Sequence, residues 1–381
     1  MRLLHTADWH LGRTLCGQSF LEEQEWLLTG PFLDLVKDTR PEAVLIAGDV
    51  YDRAVPPADA VELLGEVLQR IVRDFRIPVV MIAGNHDDPR RLAFASDLLR
   101  GSGLYIADSA LGQAFPFEDV HGKVAILAAG YGSPAVIAAL LGPEAEVPDH
   151  DAGFAAMTAH VRRLVPAGSR AVLVAHAFVQ GGLTSESERA LQVGGSGAVS
   201  AAHLGGFDYV ALGHLHRRQG MEGGRIAYSG SPLAYSFSEA GAEKSVSLVE
   251  IGRDGAVTAE AIPLVPRRRL RTIRGTLAEV LAAADGALRA DGGREDWLQV
   301  TLTDRAYGAK PLLNERYPSV LDLRFEAAPA APGERPASAR QANDPLSVLE
   351  DFWAKVTEGS LGPEERRIAA EAIAAAERED A

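Results

Sequence analysis

Six short apolar runs, each closing in a polar or Gly-rich turn, set the tightest limit on how this chain can fold. They are Leu3-Leu4-His5-Thr6 and residues 43–47, 79–83, 124–128, 171–175 and 209–212. Runs of this length with little alternation read as strands covered on both faces. Residues 21–37 and 58–75 between them carry helical periodicity, and Pro31 is expected to kink or split the first helix. The pattern is that of an α/β domain with a layered sheet.

Residues 225–262 change to strands and turns, and the main domain is taken as 1–266. A smaller α+β unit is expected over 267–326, with strands near 270–273, 297–303 and 319–325 and a helix over 277–288. Residues 327–344 are rich in Ala and Pro and read as a flexible linker. Residues 345–381 read as helices. Asp344 suits an N-cap and Pro345 the first helical position. Leu346, Leu349, Trp353 and Val356 fall on one helical face, with Phe352 beside them.

With 381 residues the chain is long enough for one large domain and a smaller one. Cys16 is its single cysteine, so no intramolecular disulfide can form. The first eight residues lack the apolar core of a secretory signal, and no stretch reaches membrane-helix length. The expected location is the cytoplasm, with nucleoid association as a variant of it. The formal net charge of −14 argues against a module that coats nucleic acid by its own basic surface.

Five segments stand where strands end: Asp8-Trp9-His10, Gly48-Asp49-Val50-Tyr51-Asp52, Gly84-Asn85-His86-Asp87, Ala175-His176 and Gly213-His214-Leu215-His216. Ligands of open α/β folds bind beyond the carboxyl ends of strands, so all five are expected on one rim. Singly, a Gly-Asp or a His after a strand is ordinary turn chemistry. Together these segments hold five of the ten histidines, which turn chemistry does not explain. Asp, Asn and His are oxygen and imidazole donors suited to divalent ions such as Mn²⁺, and no thiolate cluster is present, which speaks against a structural zinc site. If strand geometry runs to its end, Asp8 with His10 and His214 with His216 each aim two ligands the same way.

Asp-x-His, Gly-Asp-x-x-Asp, Gly-Asn-His-Asp, a later His and Gly-His-x-His, in this order, resemble the calcineurin-like metallophosphoesterases over roughly the first 216 residues. The resemblance implies a four-layer sandwich, two packed mixed sheets flanked by helices, with a dinuclear centre of two Mn²⁺ (Mg²⁺ as the alternative). It implies that Asp8, His10 and His216 hold one metal, that Asn85, His176 and His214 hold the other, and that Asp49 bridges them. His86 would approach the phosphate or the leaving oxygen, with Asp52 as its orienting partner. Two such cations clamp the attacking and leaving oxygens of an in-line displacement, and a positioned imidazole donates the proton.

The sequences flanking Asp8 and Asp49 are similar to those of SbcD-type nuclease subunits, as are Tyr228-Ser229-Gly230-Ser231-Pro232 and Ser236-Phe237-Ser238-Glu239. Archaeal and eukaryotic counterparts usually carry His at the position of Asp52, and the bacterial subunits resemble this chain. That resemblance implies a Mn²⁺-dependent double-strand exonuclease and single-strand or hairpin endonuclease in DNA repair and recombination. It also implies a capping domain, C-terminal helices docked on an SbcC-type SMC-like ATPase in a heterotetramer, and a homodimer through the catalytic domain. The face of Leu346, Leu349, Phe352, Trp353 and Val356 would enter the ATPase groove or pack on the cap. Arg267, Arg268, Arg269 and Arg271 at the domain junction would hold a DNA backbone, or form a solvated charge run. The competing readings are a stand-alone phosphodiesterase or phosphatase on small substrates, and a non-catalytic scaffold. The complete ligand set speaks against the scaffold.

Overall fold

Alternation along the buried strands assigns each side chain to one of two faces, and the packing follows that parity. The computed structural model describes residues 1–188, 197–286, 295–304, 306, 308–326, 346, 349, 350, 353, 362 and 364–370. They fall in two units, Met1–Phe325 and Glu326–Ala381. In chain order the strands are β1 Arg2–Thr6, the hairpin β2 Thr14–Leu15 and β3 Gln18–Ser19, β4 Ala43–Ala47, β5 Val79–Ile82, β6 Leu104–Ile106, β7 Gln113–Asp119, β8 Gly122–Ala128 and β9 Arg170–His176. There follow β10 Tyr209–Gly213, β11 Gln219–Met221, β12 Ile226–Tyr228, β13 Lys244–Ile251, β14 Val257–Leu264, β15 Leu270–Gly275, β16 Trp297–Leu302 and β17 Val320–Phe325.

Among the described residues two six-stranded sheets form, ordered β14-β13-β1-β4-β5-β6 and β11-β12-β10-β9-β8-β7. β1, β4, β5 and β6 run parallel, as do β8, β9, β10 and β12, while β13, β14, β7 and β11 add antiparallel pairings. Leu3, Leu45, Val80 and Ile82 of the first sheet meet Ile126, Val172, Val174 and Ala211 of the second in one buried layer. Leu4, Val44, Ile46 and Met81 point the other way and pack under Leu27, Phe32, Val36, Leu64 and Val67. Leu127, Leu173, Val210 and Leu212 pack on Phe154, Met157 and Val161 of the helix His150–Arg162. The result is helix, sheet, sheet, helix, the expected four layers.

The expected kink at Pro31 takes the form of a π-turn, Leu28–Phe32, between the helices Leu21–Leu27 and Leu33–Thr39. A wider turn absorbs the hydrogen bond that proline cannot donate. The helix Ala58–Gln69 ends in a second π-turn, Arg70–Asp74. Within the first unit, β15, β16 and β17 make a parallel three-stranded sheet over the helices Leu277–Asp285 and Ala309–Arg316. Thr276 and Glu279 form a capping box at the first of these. Trp297 stands edge-on to Phe20 at 4.5 Å, which joins this sheet to the first core. In the second unit residues 346, 349, 350, 353 and 364–370 are helical, and Arg366 pairs with Glu350 at 2.6 Å. Phe352, Val356 and the 327–344 segment lie outside the described residues. No described helix is long and apolar enough to cross a membrane.

One polar side chain crosses the inter-sheet core. His5 on β1 is fully buried, with Nδ1 2.9 Å from the Tyr209 hydroxyl and Nε2 3.2 Å from the Leu212 carbonyl. Nε2–H donates to the carbonyl and Nδ1 accepts from the phenol, so the ring is neutral. Burial pushes its pKa from 6.5 down to about 3. Between those values the unfolded chain binds a proton that the fold refuses, so stability falls as pH drops below 6.5. Each pH unit in that window removes up to about 1.4 kcal/mol. His5→Gln is therefore expected to flatten the loss of melting temperature between pH 6.5 and 4. Parallel curves for the two proteins would contradict it.

Candidate metal centre

All five chemistry-bearing segments leave the carboxyl ends of β1, β4, β5, β9 and β10, and these ends meet between the two sheets. Close approach there depends on glycine. A Cβ at Gly213 would lie 1.9 Å from the Ala47 carbonyl, and one at Gly48 would lie 2.5 Å from His176 Nδ1. At Gly84 a Cβ would fall 2.1 Å from Asp49 Oδ1, so any larger residue displaces that carboxylate.

Side-chain direction is set differently from the strand expectation. β1 ends at Thr6 and β10 at Gly213, so Asp8, His10, His214 and His216 lie beyond regular strand. Asp8, His10 and Asp49 adopt left-handed backbone with φ of 55°, 45° and 48°, and His214 has φ 106°. Such conformations cost of order 1–3 kcal/mol each and persist only where the surroundings fix them. Here Asp8, His10 and Leu11 donate main-chain N–H bonds to Gly48, Asp49 and Val50. Gln24 holds the Trp9 and His10 carbonyls, and the Tyr235 hydroxyl also donates to Trp9.

Two lobes result. In the first, Asp8, His10 and His216 place ligand atoms within 4.8 Å of one another, and the Nε2 atoms of His10 and His216 face each other at 3.0 Å. In the second, Asn85 Oδ1 lies 2.9 Å from His176 Nε2 and 3.1 Å from His214 Nδ1, with Asp49 in the same cluster. Asp49 Oδ2 stands between the lobes, 3.6 Å from His10 Nε2 and 3.5 Å from His176 Nε2. The residue set brought together thus contains every position that the sequence placed at the centre.

The donors fit divalent cations. Asp8 Oδ2 is buried with no hydrogen-bond partner among the described residues, and burial pushes the Asp8 carboxyl up to about 7. A cation is the charge that holds such a group ionised. Burial also lowers His10 to about 4 and His214 to about 3, which leaves neutral imidazoles with free lone pairs. Burial opposes ionisation of Asp49, but the imidazoles of His176, His10 and His86 hold its carboxyl well below the usual range. His176 would likewise be lowered by burial, yet Asp49 and Asp8 raise it to about 9. Cations replacing those protons would complete the same charge balance.

His86 sits at the rim, half-buried, its ring edge-on to His10 at 4.7 Å. Its main-chain N–H donates to Asp49 Oδ1 at 2.9 Å, and its Nδ1 lies 2.8 Å from the Asp52 carbonyl oxygen. The group of Asp52 that meets His86 is its main-chain carbonyl rather than its carboxylate. That carboxylate turns to Arg13 Nη1 at 2.9 Å and stands 3.4 Å from His10 Nδ1. Nδ1–H donation to a carbonyl still fixes the tautomer and leaves Nε2 uncommitted among the described residues.

Several further residues hold the centre together. Asp87 accepts from the N–H groups of Val50, Tyr51 and Gly84 at 3.0, 2.8 and 2.9 Å, which ties the two acidic turns together. Gln24, Tyr235 and Arg13 are separated from their partners by long stretches of chain, and no local pattern marks them. At the junction arginines, Arg267 Nη2 and Arg268 Nη1 reach the buried Glu23 carboxylate at 2.6 and 3.0 Å. Arg271 pairs with Asp296, and the Arg269 N–H bonds that same side chain. These arginines therefore fasten β15 to its surroundings. Leu346, Leu349 and Trp353 are half-buried in the second unit.

Residues 1–218 match the calcineurin-like phosphoesterase family, and residues 266–357 match the SbcD_C family, described as type 5 capsule protein repressor C-terminal domain. The solved structure of Haemophilus influenzae NAD nucleotidase (NadN) is similar over 71% of this chain, with 15% identity and a TM-score of 0.39. The similarity covers 56% of that chain, so this chain spans little more than half of its length. A family match over more than half of the chain, joined to a paired Asp/His cluster at the strand ends, makes this protein a member of the calcineurin-like phosphoesterase family that carries an SbcD-type C-terminal domain.

Proposed function

We propose that the protein is a metal-dependent DNA nuclease, cutting double-stranded ends as an exonuclease and single strands or hairpins as an endonuclease. The observation that carries this reading is the SbcD-type domain at 266–357 attached to a phosphoesterase domain whose Asp/His cluster is complete. We assign Asp8, His10 and His216 to one Mn²⁺, Asn85, His176 and His214 to a second, and Asp49 to both. When bound, the cations supply the positive charge that polarises the scissile phosphate and the attacking water. The chain's own part is to place and move protons. Asp49 presents one oxygen to both lobes, its other oxygen holds the His86 main chain, and Nε2 of His86 is free to protonate the leaving 3′ oxygen.

The same reading divides the chain into a nuclease domain 1–266, a capping domain 267–326, a linker 327–344 and C-terminal helices 345–381. Those helices, through Leu346, Leu349, Phe352, Trp353 and Val356, are the proposed seat of an SbcC-type ATPase in the cytoplasm. Arg267 and Arg268 keep 40% and 34% of their side chains exposed beside Glu23, enough to offer N–H donors to a DNA backbone next to the nuclease domain. A second copy is proposed to pack on the helices within 21–37 and 58–75, where Trp26 and Val61 are 38% and 47% exposed.

The test is cleavage of linear double-stranded DNA with Mn²⁺ or EDTA, beside small phosphodiesters and with the ATPase partner added in one arm. Mn²⁺-dependent cutting of DNA is expected. Rapid turnover of small esters with no DNA cutting in any arm would leave the phosphoesterase and remove the nuclease.

A further inference from the structure

Two polar segments that follow the last histidines, residues 228–232 and 236–239, have so far been given no chemical task. In the structure they close around His216. Its main-chain carbonyl accepts from Lys244 Nζ at 2.9 Å and from the Ser231 N–H at 3.2 Å. The His216 main-chain N–H donates to Glu188 Oε1 at 2.9 Å. Its ring Nδ1 lies 2.6 Å from Ser187 Oγ, and that hydroxyl is in turn bonded to Glu239 Oε1. Glu239 also accepts from Ser236 Oγ at 3.0 Å and from Lys244. All of Glu239, Ser187, Lys244 and His216 are buried, with relative exposures of 3, 6, 7 and 1%.

The chemistry of this chain of contacts runs in one direction. A carboxylate only accepts, so the serine hydroxyl donates to Glu239 and takes the Nδ1–H of His216 on its lone pair. The imidazole is then held in the tautomer that leaves Nε2 without hydrogen, and Nε2 is the atom that faces His10 Nε2 at 3.0 Å. Lys244 balances the buried carboxylate, so the relay does not leave an unpaired charge inside the protein. His10 has no comparable support. Its Nδ1 has no hydrogen-bond partner among the described residues, and the Asp52 carboxylate stands off at 3.4 Å.

We propose that Glu239, acting through Ser187, is a positioning residue for metal binding at the lobe of Asp8, His10 and His216, and that Lys244 keeps that carboxylate in place. The proposal rests on the metal-centre assignment made above. Its specific content is that the relay sets the affinity of one lobe and leaves that of Asn85, His176 and His214 unchanged.

Mn²⁺ binding to the full chain, followed by calorimetry and by the electron paramagnetic resonance of free Mn²⁺, separates the two claims. The wild-type chain is expected to bind two ions. Ser187→Ala removes the link and leaves Glu239 paired with Lys244. It is expected to weaken one ion by about tenfold or more, as loss of a ligand's hydrogen-bond partner does elsewhere. The second ion should keep its affinity, and the metal-free variant should still unfold in one cooperative transition. Glu239→Gln should give the same one-site loss, and if it does not fold, Ser187→Ala decides alone. Two ions bound at wild-type affinity by Ser187→Ala would overturn the relay while leaving the metal centre intact, as would an equal loss at both sites. A wild-type chain that binds no Mn²⁺ would overturn the metal centre itself, and the relay with it.

Discussion

Asp49→Asn is expected to abolish phosphoesterase activity and to empty both lobes of Mn²⁺. The substitution keeps the shape of the side chain and an oxygen that can accept the His86 N–H. It removes the negative charge that stands 3.6 Å from His10 Nε2 and 3.5 Å from His176 Nε2. Among the described residues Asp49 is the carboxylate that clusters both with His10 and His86 and with His176 and His214. Charge stabilisation by bound cations is worth several kcal/mol in the transition state, so activity should fall by about a thousandfold or more. Metal analysis of the purified variant beside a turnover assay checks both parts. Two ions retained at normal affinity would remove Asp49 from the bridging position.

His86→Gln should behave differently, and the contrast is the informative part. His86 also lies within 4.8 Å of ligand atoms of His10 and Asp49, so geometry alone would allow it to be a ligand. Its Nδ1 is committed to the Asp52 carbonyl and its main chain to Asp49, which leaves uncommitted the Nε2 proposed above to meet the substrate. The variant is expected to bind two Mn²⁺ normally while its turnover falls by about a hundredfold to ten-thousandfold, the usual contribution of a positioned proton donor. Most of the loss should appear in kcat, because the interaction is made in the transition state. A variant that loses an ion together with activity would make His86 a ligand instead.

The strands that carry the centre were legible because their signal is local. The run at 43–47 coincides with β4, and the run at 79–83 overshoots β5 by one residue. β7 was missed. It is an edge strand with Pro116 inside it and only one buried side chain, so neither composition nor alternation marks it. The helix His150–Arg162 was missed as well, its apolar face thinned by Gly153 and several alanines.

At the centre, the residue types at the strand ends and their order are written along the chain. A carboxylate, amide or imidazole at the end of an apolar run is a property of neighbouring residues, and five such strand ends in one chain limit the chemistry sharply. What points those side chains inwards was decided elsewhere. The strand alternation assumed for Asp8 and His10 stops at Thr6, and left-handed backbone takes over because main-chain bonds to Gly48 and Asp49 impose it. The carbonyl rather than the carboxylate of Asp52 meets His86, because Arg13 and His10 draw the carboxylate away. The relay to His216 joins Ser187 and Glu239 across 52 residues, and Asp8 accepts from the His214 N–H across 206. Contacts of that range exist only once two sheets have packed face to face, and no periodicity along the chain encodes the distance between them.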